Sequence, residues 1–564
     1  MGSDRITIEV IARSLEYIAE EMGIRLRNSA YSPNIKERMD HSCAIFDSEG
    51  RVLAQAEHIP THLGSMAWGV KETLKYITKK GLKLEEGDVL ITNNPYIAGT
   101  HLNDVLAIAP IYYDGELLGY VASKAHYVDV GGKVPGSIAS DSIEVLEEGL
   151  LIPPIKVMER GRLRRDLLEL ILSNVRSPDI IIGDLRAQIA AMDTGRKQVL
   201  SIVDKYGYET TVKAFNEIID YSRKITLHRV RKLPDFDVEA EDYLEDPGFE
   251  GDAVIHVRII KKEERVIVDY TGSSPQVSAP LNAPFGVTIA STTFTLKTIL
   301  DPELPVNDGF YQVVEIKAKP KTIVYAHYPA PVGASIETAQ RIVDTMYLAL
   351  AKAIPDRVPA GSCGSMNNLL IGGVDYEKGK TWAFYETIAG GYGGRKGLDG
   401  VSATHCNMTN TMNTPIEVIE HELPLLFTRY ELRPSSGGAG KWRGGMGVIR
   451  SFKILAPQAK VTVIGERVKY SPHGILGGKP GKPARYYVVK RNGKKILLRS
   501  KDTVMVEYGD EVVIETAGGG GYGLPRERDD KLIIEDLLDQ LIEPDEVINT
   551  YGKGYLLSKV KLNA

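Results

Sequence analysis

Two spacings of apolar residues occur along this chain, and they predict its elements. Helical spacing predicts helices in the following stretches: 7–22, 65–78, 161–173 and 178–205, the last ended by Gly207. Short β-prone runs on either side of Ser48-Glu49-Gly50 predict a hairpin. The first 230 residues are therefore expected to mix helices with strands.

The clearest strand pair lies between residues 105 and 130. The apolar runs 105–113 and 116–130 flank Asp114-Gly115, a strong signal for a two-residue hairpin turn. Pro110 within the first run predicts an edge strand or a bulge, because proline cannot donate a hydrogen bond to a neighbouring strand.

The chain changes character twice beyond this hairpin. An acidic, proline-bearing stretch over 233–252 predicts a domain boundary, and paired strands and a helix at 336–354 follow it. From about residue 420 the chain is rich in glycine and short β-prone runs, and a short helix pair closes it. We predict an α+β multidomain protein with these parts: a mixed α+β domain at 1–235, a middle α/β region at 236–420, a β-rich region at 421–525 and a helical tail at 526–564.

Composition and charge narrow the class of protein. The 564 residues are 43% hydrophobic and 25% charged with a formal net charge of −5, which is ordinary for a globular protein and gives no basic surface for nucleic acid. No apolar run approaches the roughly 20 residues of a membrane span, and the N-terminus has no secretory pattern. We expect a cytoplasmic protein that binds neither nucleic acid nor membrane. Its three cysteines, Cys43, Cys363 and Cys406, lack metal-binding spacing and are expected to be reduced.

The histidines are unevenly distributed along the chain. Five of the eleven lie before residue 130: His41, His58, His62, His101 and His126. His101 stands in GTHLND, with Asp104, and His126 stands in KAHYVDVGG at the other end of the predicted hairpin. Two imidazoles and a carboxylate are the donors of an open metal site, which leaves positions for water or substrate.

The register of the hairpin decides which of these side chains share a face. With a two-residue turn and regular pairing, His126 falls opposite Asn103, and His101 lies diagonally across at roughly 7–8 Å. Asp104 then has the wrong parity for that face. We therefore expect Asp104 to lie in a loop that enters the sheet, where it can still join the site.

Three further residues are candidates for the same site. Asp40 directly precedes a predicted strand and could be a fourth ligand, and a second carboxylate favours an oxygen-tolerant metal such as Mn or Zn. His62, or alternatively His58, could move a proton near neutral pH. Simpler interpretations are open, since Asp40 could cap neighbouring amides and His62 could begin a helix.

The glycine-rich segments contain no recognisable ATP site. The stretch 373–381 resembles a P-loop but has five rather than four residues between its glycines, and its position between two predicted strands favours a hairpin turn. The stretch 390–397 joins backbone amides to Arg395 and Lys396, so it could cradle an anion or only permit unusual backbone angles. The stretch 517–523 is expected to shape a loop.

Many collinear segments together resemble the hydantoinase B/oxoprolinase family over nearly the whole chain. They include ERMDHSCAIFD, AEHIPTHLGSM, NNPYIAGTHLNDV, KAHYVDVGGKVPGS, EEGLLIPPIK, NVRSPDIIIGDLRAQIAA, IETAQRIVD, GGYGGRKGLDG, MTNTMNTPIEVIE, SSGGAGKWRGG and GGGGYGLP. Ser335 departs from the asparagine of a GN-x-E-T stretch in this family, which argues against a direct substrate role at that position.

The resemblance implies a B-type subunit that acts with a separate, ATP-binding hydantoinase A-type subunit in a hetero-oligomer. The A-type subunit would phosphorylate the carbonyl oxygen of a small cyclic amide such as 5-oxoproline or a hydantoin, and this chain would direct a metal-activated water onto the activated carbon. The related acetone carboxylase implies a metal at His101, Asp104 and His126. Asp40 is then a further ligand, and His62 or His58 moves protons.

Two alternatives stay open at this point. The first is an acetone carboxylase-like subunit that forms carbon–carbon bonds, which bicarbonate-dependent ATP turnover with a ketone would reveal. The second is a non-catalytic scaffold for the A-type subunit, which would purify without metal.

Overall fold

The computed structural model describes residues 2–56, 58–246, 248, 251–375 and 380–561. The chain divides into two units. Unit 1 comprises Met1–Asp237, Ile259–Thr271 and Pro275–Ser335, and unit 2 comprises Val238–Arg258, Gly272–Ser274 and Ile336–Ala564. The predicted α+β class is confirmed.

Unit 1 contains most of the long helices. Its helices are α1 (Gly2–Ser29), α2 (Pro33–Lys36), α3 (His62–Lys79), α4 (Pro95–Ala98), α5 (Arg165–Leu172), α6 (Pro178–Tyr206), α7 (Tyr208–Arg231), α8 (Phe285–Leu300) and α9 (Asp308–Tyr311). The first strands are β1 (His41–Asp47), β2 (Val52–Gln55), β3 (Val89–Thr92), β4 (Asp104–Tyr113), β5 (Glu116–His126), β6 (Ile155–Glu159) and β7 (Arg162–Leu163). The next strands along the chain are β8 (Phe236–Leu244) and β9 (Ala253–Lys262), which both units share, and β10 (Arg265–Asp269) and β11 (Val314–Lys317), which belong to unit 1 and pair in parallel.

The predicted helices are present, with small shifts at their ends. α6 ends at Tyr206, directly before the predicted stop at Gly207, whose φ of 83° lies in the region that glycine favours. The helix expected at 161–173 begins only at Arg165, because Arg162–Leu163 pairs with β6 as β7. The stretch 233–252, which was expected to be a domain boundary, contains strand β8. Helix α7 (Tyr208–Arg231) was not predicted from the sequence.

Seven strands of unit 1 form one antiparallel sheet in the order β2-β1-β5-β4-β3-β6-β7. Odd-numbered side chains such as Ile45 and Val105 pack with residues of α1 and α6. Even-numbered side chains such as Phe46 and Leu106 pack with residues of α3. Because helices cover both faces, β1 and most of β4 are buried, which is why the stretches 43–46 and 105–111 are continuously apolar rather than alternating.

The predicted β4–β5 hairpin is present, but its register was predicted wrongly. Tyr113 pairs with Glu116 around the two-residue turn, as expected. Two pairs further on, Ile111 pairs with Gly119, where regular pairing would use Leu118. This bulge adds one residue to β5 and shifts every later pair by one position.

The bulge changes the face on which the candidate ligands lie. His126 pairs with Asp104 and not with Asn103, and Asp104 is the first residue of β4 rather than part of a loop. Pro110 lies beside the bulge, but β4 is an interior strand, so the edge-strand alternative is wrong. The proline is tolerated because β3 pairs with β4 only at residues 106–108.

Unit 2 is rich in strands, as predicted for the C-terminal part. Its helices are α10 (Ser335–Leu350), α11 (Ile416–Glu422), α12 (Asp530–Leu538), α13 (Pro544–Asn549) and α14 (Leu556–Lys561). Its strands continue with β12 (Asn368–Asp375), β13 (Lys380–Glu386), β14 (Leu425–Leu432), β15 (Val448–Ile454), β16 (Gln458–Ile464), β17 (Arg485–Val489), β18 (Lys495–Leu498), β19 (Lys501–Glu507) and β20 (Glu511–Glu515). They form two sheets, in the orders β13-β12-β16-β19 and β14-β15-β20-β17-β18.

The P-loop-like stretch 373–381 lies between two paired strands. β12 and β13 are antiparallel neighbours, which agrees with the hairpin interpretation. Residues 376–379, which connect them, lie outside the described part of the chain.

The glycine-rich segments of unit 2 pack backbone against backbone. The amide of Gly445 donates to Tyr392 O, that of Gly519 to Gly445 O, and that of Gly438 to Gly519 O. A Cβ atom on Gly519 would lie 2.0 Å from Tyr392 O, so a side chain has no room there. These glycines permit close approach of neighbouring segments.

This packing also decides between the two interpretations of 390–397. The amides of Gly390, Gly391 and Gly394 donate to the carbonyls of Thr404, Ala517 and Gly520. These three amides are therefore not available to an anion.

Among the described residues, no helix combines the length and apolar character needed to cross a lipid bilayer.

Candidate metal centre

Four segments of unit 1 converge at one end of the seven-stranded sheet. Asp104 begins β4, His126 ends β5, Asp40 directly precedes β1, and His62 begins α3. The side chains of Asp40, Asp104 and His126 occupy even-numbered positions, so they lie on the face of the sheet that α3 covers. The pairing is continued beyond the strands, because the amide of His126 donates to Asp40 O at 3.1 Å.

The three predicted ligands come together around the Asp104 carboxylate. His101 Nδ1 lies 3.0 Å from Asp104 Oδ2, and His126 Nδ1 lies 3.4 Å from Asp104 Oδ1. One ligand atom from each of the three residues lies within 4.8 Å of the others. Nitrogen and oxygen donors at this separation can contact a single ion.

The other candidates adjoin this cluster to different degrees. Asp40 Oδ2 lies 3.7 Å from His126 Nδ1. His62 places Nε2 3.6 Å from Asp104 Oδ2 and Nδ1 3.0 Å from Ser42 Oγ. Both residues therefore border the three predicted ligands, whereas His58 contacts other side chains.

His58 lies on the side of the sheet that α1 covers. Its Nε2 is 3.5 Å from Glu20 Oε2, and its ring centroid is 5.0 Å from that of His41. Burial lowers the pKa of His41 to about 3, and the neighbouring His58 and His62 act in the same direction. Of these two histidines, His62 is therefore the one that lies beside Asp104.

The electrostatics of the cluster fit a divalent cation. Burial acts to raise the pKa of the Asp104 carboxyl, but His101, His126 and His62 outweigh it and hold this pKa well below its usual range. Burial acts to lower the pKa of His101, yet Asp104 and Asp40 keep it raised. Oδ1 of Asp104 is buried, and no hydrogen bond of ordinary geometry reaches it from the described residues. Imidazole nitrogens beside two carboxylates suit zinc or manganese.

A buried lysine that the sequence analysis missed organises two sides of the cluster. Lys124 is fully buried, and its Nζ donates to Ala98 O at 2.9 Å and to Ser65 Oγ at 3.2 Å. Ser65 Oγ in turn donates to His62 O. Burial lowers the pKa of Lys124 to about 8, and Asp104 opposes that effect. Its position two residues before His126 in a strand was the available signal.

A buried glutamate that the sequence analysis also missed lies near the cluster. Glu148 accepts hydrogen bonds from the amides of Val332 at 2.9 Å and Gly333 at 2.7 Å. Burial raises the pKa of Glu148 to about 8, while these amides and His101 lower it. The Glu148 carboxyl group therefore holds the loop at 332–333, and it lies within electrostatic range of His101.

Comparison with known proteins identifies the family and agrees with the fold. The Hydantoinase B/oxoprolinase family model matches residues 4–525. An uncharacterised protein of Methanocaldococcus jannaschii is 52% identical over 97% of this chain and 96% of its own length. The putative B-type subunit of a D-/L-hydantoinase from a Pseudomonas species is 33% identical over 97% and 95%. 5-Oxoprolinase 1 of Arabidopsis thaliana is 33% identical over 92% of this chain but only 42% of its own length.

Two solved structures share the fold. The ATP-dependent caprolactamase from Pseudomonas jessenii is 29% identical with a TM-score of 0.90, covering 97% of this chain and 96% of that one. Acetone carboxylase has the same TM-score at 20% identity, covering 99% and 83%, which shows the fold alone. With a family match across most of its length, the chain belongs to the hydantoinase B/oxoprolinase family.

Proposed function

We propose that this chain is the metal-dependent hydrolytic subunit of an ATP-dependent cyclic amidase of the 5-oxoprolinase or hydantoinase type. The observation that carries the proposal is the buried cluster of His101, Asp104 and His126, whose ligand atoms lie within 4.8 Å of one another. Asp40, 3.7 Å from His126, is the fourth candidate ligand. A zinc or manganese ion held by these residues would supply Lewis acidity and would lower the pKa of a bound water.

The chain's own residues supply positioning and proton transfer. His62 is held between Ser42 and Asp104, one ring nitrogen facing each, so its Nε2 can take up or release a proton beside the cluster. Burial of Asp104, His126 and His62 to 2–3% exposure limits the entry of bulk water. His101 is the most accessible of these groups, with 13% of its side chain exposed, and marks the side from which a substrate approaches.

Activation of the amide is assigned to a partner. An amide carbonyl is a poor electrophile because of resonance, and phosphorylation of its oxygen by an ATP-binding A-type subunit makes the carbon reactive. The Pseudomonas relative, which is named as one subunit of a hydantoinase, supports a separate partner. The Arabidopsis 5-oxoprolinase, of which the matched part is 42%, supports an arrangement in which one polypeptide carries a further part of comparable size.

The test uses this chain purified with its A-type subunit. ATP hydrolysis and ring opening are measured separately with 5-oxoproline, hydantoin and caprolactam. His101→Ala and Asp104→Ala should lose the metal and several orders of magnitude in ring opening, while association with the partner is unchanged. His62→Ala should keep the metal and lose roughly 10²–10⁴-fold in rate. His228→Ala and Asp204→Ala, at exposed positions on α7 and α6, are matched controls.

Two outcomes would contradict the proposal. Near-normal ring opening by a metal-free Asp104→Ala complex would exclude the metal-dependent mechanism and would favour the alternative in which this chain is a non-catalytic scaffold. ATP turnover that depends on bicarbonate and a ketone, and not on a lactam, would establish the carboxylase alternative.

A further inference from the structure

Two of the three cysteines meet in the interior of unit 2. Cys363 Sγ and Cys406 Sγ lie 3.4 Å apart, although the residues are 43 positions apart in sequence. Cys363 is 1% exposed and Cys406 is fully buried. Only the folded chain reveals this contact, because the spacing of the two residues matches no known pairing motif.

The segment at 390–391 holds both cysteines in place. The Cys363 amide donates to Gly391 O at 2.8 Å, and Cys406 Sγ lies 3.6 Å from the same oxygen. Gly390 and Thr404 exchange two backbone hydrogen bonds, which fixes the segment that leads to Cys406. A Cβ atom on Gly390 would lie 2.6 Å from Cys363 Sγ, so glycine leaves the room that this sulfur occupies.

The remaining distance between the sulfurs is small. A disulfide bond is about 2.05 Å long, so the two sulfur atoms need to approach by roughly 1.4 Å. Rotation about the two Cα–Cβ bonds moves the sulfurs without moving the hydrogen-bonded backbone. The paired segments therefore hold the two thiols in contact in the folded chain.

We propose that Cys363 and Cys406 are the site of an intramolecular disulfide. A small disulfide such as oxidised glutathione is the oxidant. One cysteine thiolate attacks a glutathione sulfur, forms a mixed disulfide and releases one glutathione thiolate. The second cysteine thiolate then displaces the other glutathione thiolate, so two cysteine thiols are oxidised and one glutathione disulfide is reduced to two thiols.

Burial determines when this bond forms. Burial raises the pKa of the Cys406 thiol well above its ordinary value, and the adjacent Cys363 acts in the same direction. The reactive thiolate of Cys406 is therefore scarce in the folded chain, and an oxidant as large as glutathione does not reach these buried sulfurs. The bond forms while the chain folds, and burial then shields it from reductants.

The cross-link would close the loop that contains β12 and β13. Joining residues 43 positions apart removes conformations from the unfolded chain and so favours the folded state. This effect is confined to unit 2. It does not depend on the activity proposed for unit 1.

The test is refolding of the full chain in reduced and oxidised glutathione, followed by alkylation in denaturant, which exposes the buried cysteines, and by peptide mapping without reductant. We expect a 363–406 linked peptide and an alkylated Cys43. The oxidised protein should unfold several degrees above the reduced protein. Cys43→Ser should keep the link and the shift, and Cys363→Ser and Cys406→Ser should lose both. Native reduced protein exposed to the same buffer should stay reduced.

The proposal is overturned if wild-type chain, refolded to its native spectrum, shows three alkylated cysteines, or if Cys43 forms the link. Peptide mapping of the wild-type chain tests the proposal without any variant, so the result is informative even if a serine variant does not fold.

Discussion

Lys124 Nζ donates to the backbone carbonyl of Ala98, three residues before His101. The same Nζ binds Ser65, whose hydroxyl holds the backbone of His62. One buried cation thus fixes both the loop that carries a candidate ligand and the helix start that carries the candidate base. The positions of these two side chains therefore depend on a residue that holds their backbone segments.

Lys124→Met should weaken metal binding about 10–100-fold, the usual effect of removing a group that orients ligands. Methionine fills similar volume but leaves Ala98 O and Ser65 Oγ without their donor. Competition titration with a zinc chelator measures the affinity, and Lys75→Met, at a 71% exposed side chain on α3, is the control. Tighter binding in Lys124→Met would show that repulsion between lysine and metal dominates.

Glu148→Gln should destabilise unit 1 by about 1–3 kcal/mol, because a carboxyl group that accepts from two buried amides, one at each oxygen, is replaced by a group with one acceptor oxygen. Urea denaturation of the metal-free protein measures the change. The matched control is Glu147→Gln, one residue earlier, where the side chain is 29% exposed. Equal effects of the two substitutions would contradict the assigned role.

Glu337 should make unit 2 less stable as the pH rises from about 4.5 to 8. Burial, with repulsion from Glu466, raises the pKa of Glu337 to about 8 from an ordinary value of 4.5. The folded chain therefore binds a proton in this range that the unfolded chain has released, so unfolding becomes easier with increasing pH, by at most about 1.4 kcal/mol per pH unit. Glu337→Gln stays neutral and should flatten this slope in denaturation curves taken at several pH values. An unchanged slope would mean that Glu337 is ionised in the folded chain.

Gly519→Ala should cost about 3 kcal/mol or more, because the new Cβ would lie 2.0 Å from Tyr392 O, a backbone atom that cannot move alone. Gly493→Ala is the matched control. Its Cβ would meet nothing within 4 Å, and only its φ of +81° is unfavourable, so about 1 kcal/mol is expected. Urea midpoints compare the two, and similar losses would argue against backbone packing of the glycine segments.

The spacing of apolar residues was sufficient to predict the long helices, but it was insufficient to predict the strand register and the buried contacts at the candidate metal centre. Helices such as α3 and α6 follow from apolar spacing because one face of each packs on a sheet. The bulge beside Ile111 depends on strand pairing that local sequence does not encode, and it moved Asp104 onto the same face as His126. Lys124 and Glu148 were missed because their roles lie in contacts with backbone atoms of distant segments.

The packing of the glycine-rich segments could not be predicted for the same reason, because it depends on contacts between segments that are distant in sequence. A run such as 517–523 has the composition of a flexible loop, and its ordered partners are other glycine-rich runs elsewhere in the chain. Composition therefore indicates where the backbone can be approached closely but not which segment approaches it.

The β4–β5 hairpin has a closed end at its turn and an open end at the pair of Asp104 and His126. Strand pairs separate most easily at the open end, far from the turn. An ion bound by residues of both strands would link the two strand ends and oppose their separation. Loading the site should then slow amide hydrogen exchange most in the pairs next to Asp104 and least in those next to the turn, so that the metal sets how far the hairpin stays closed.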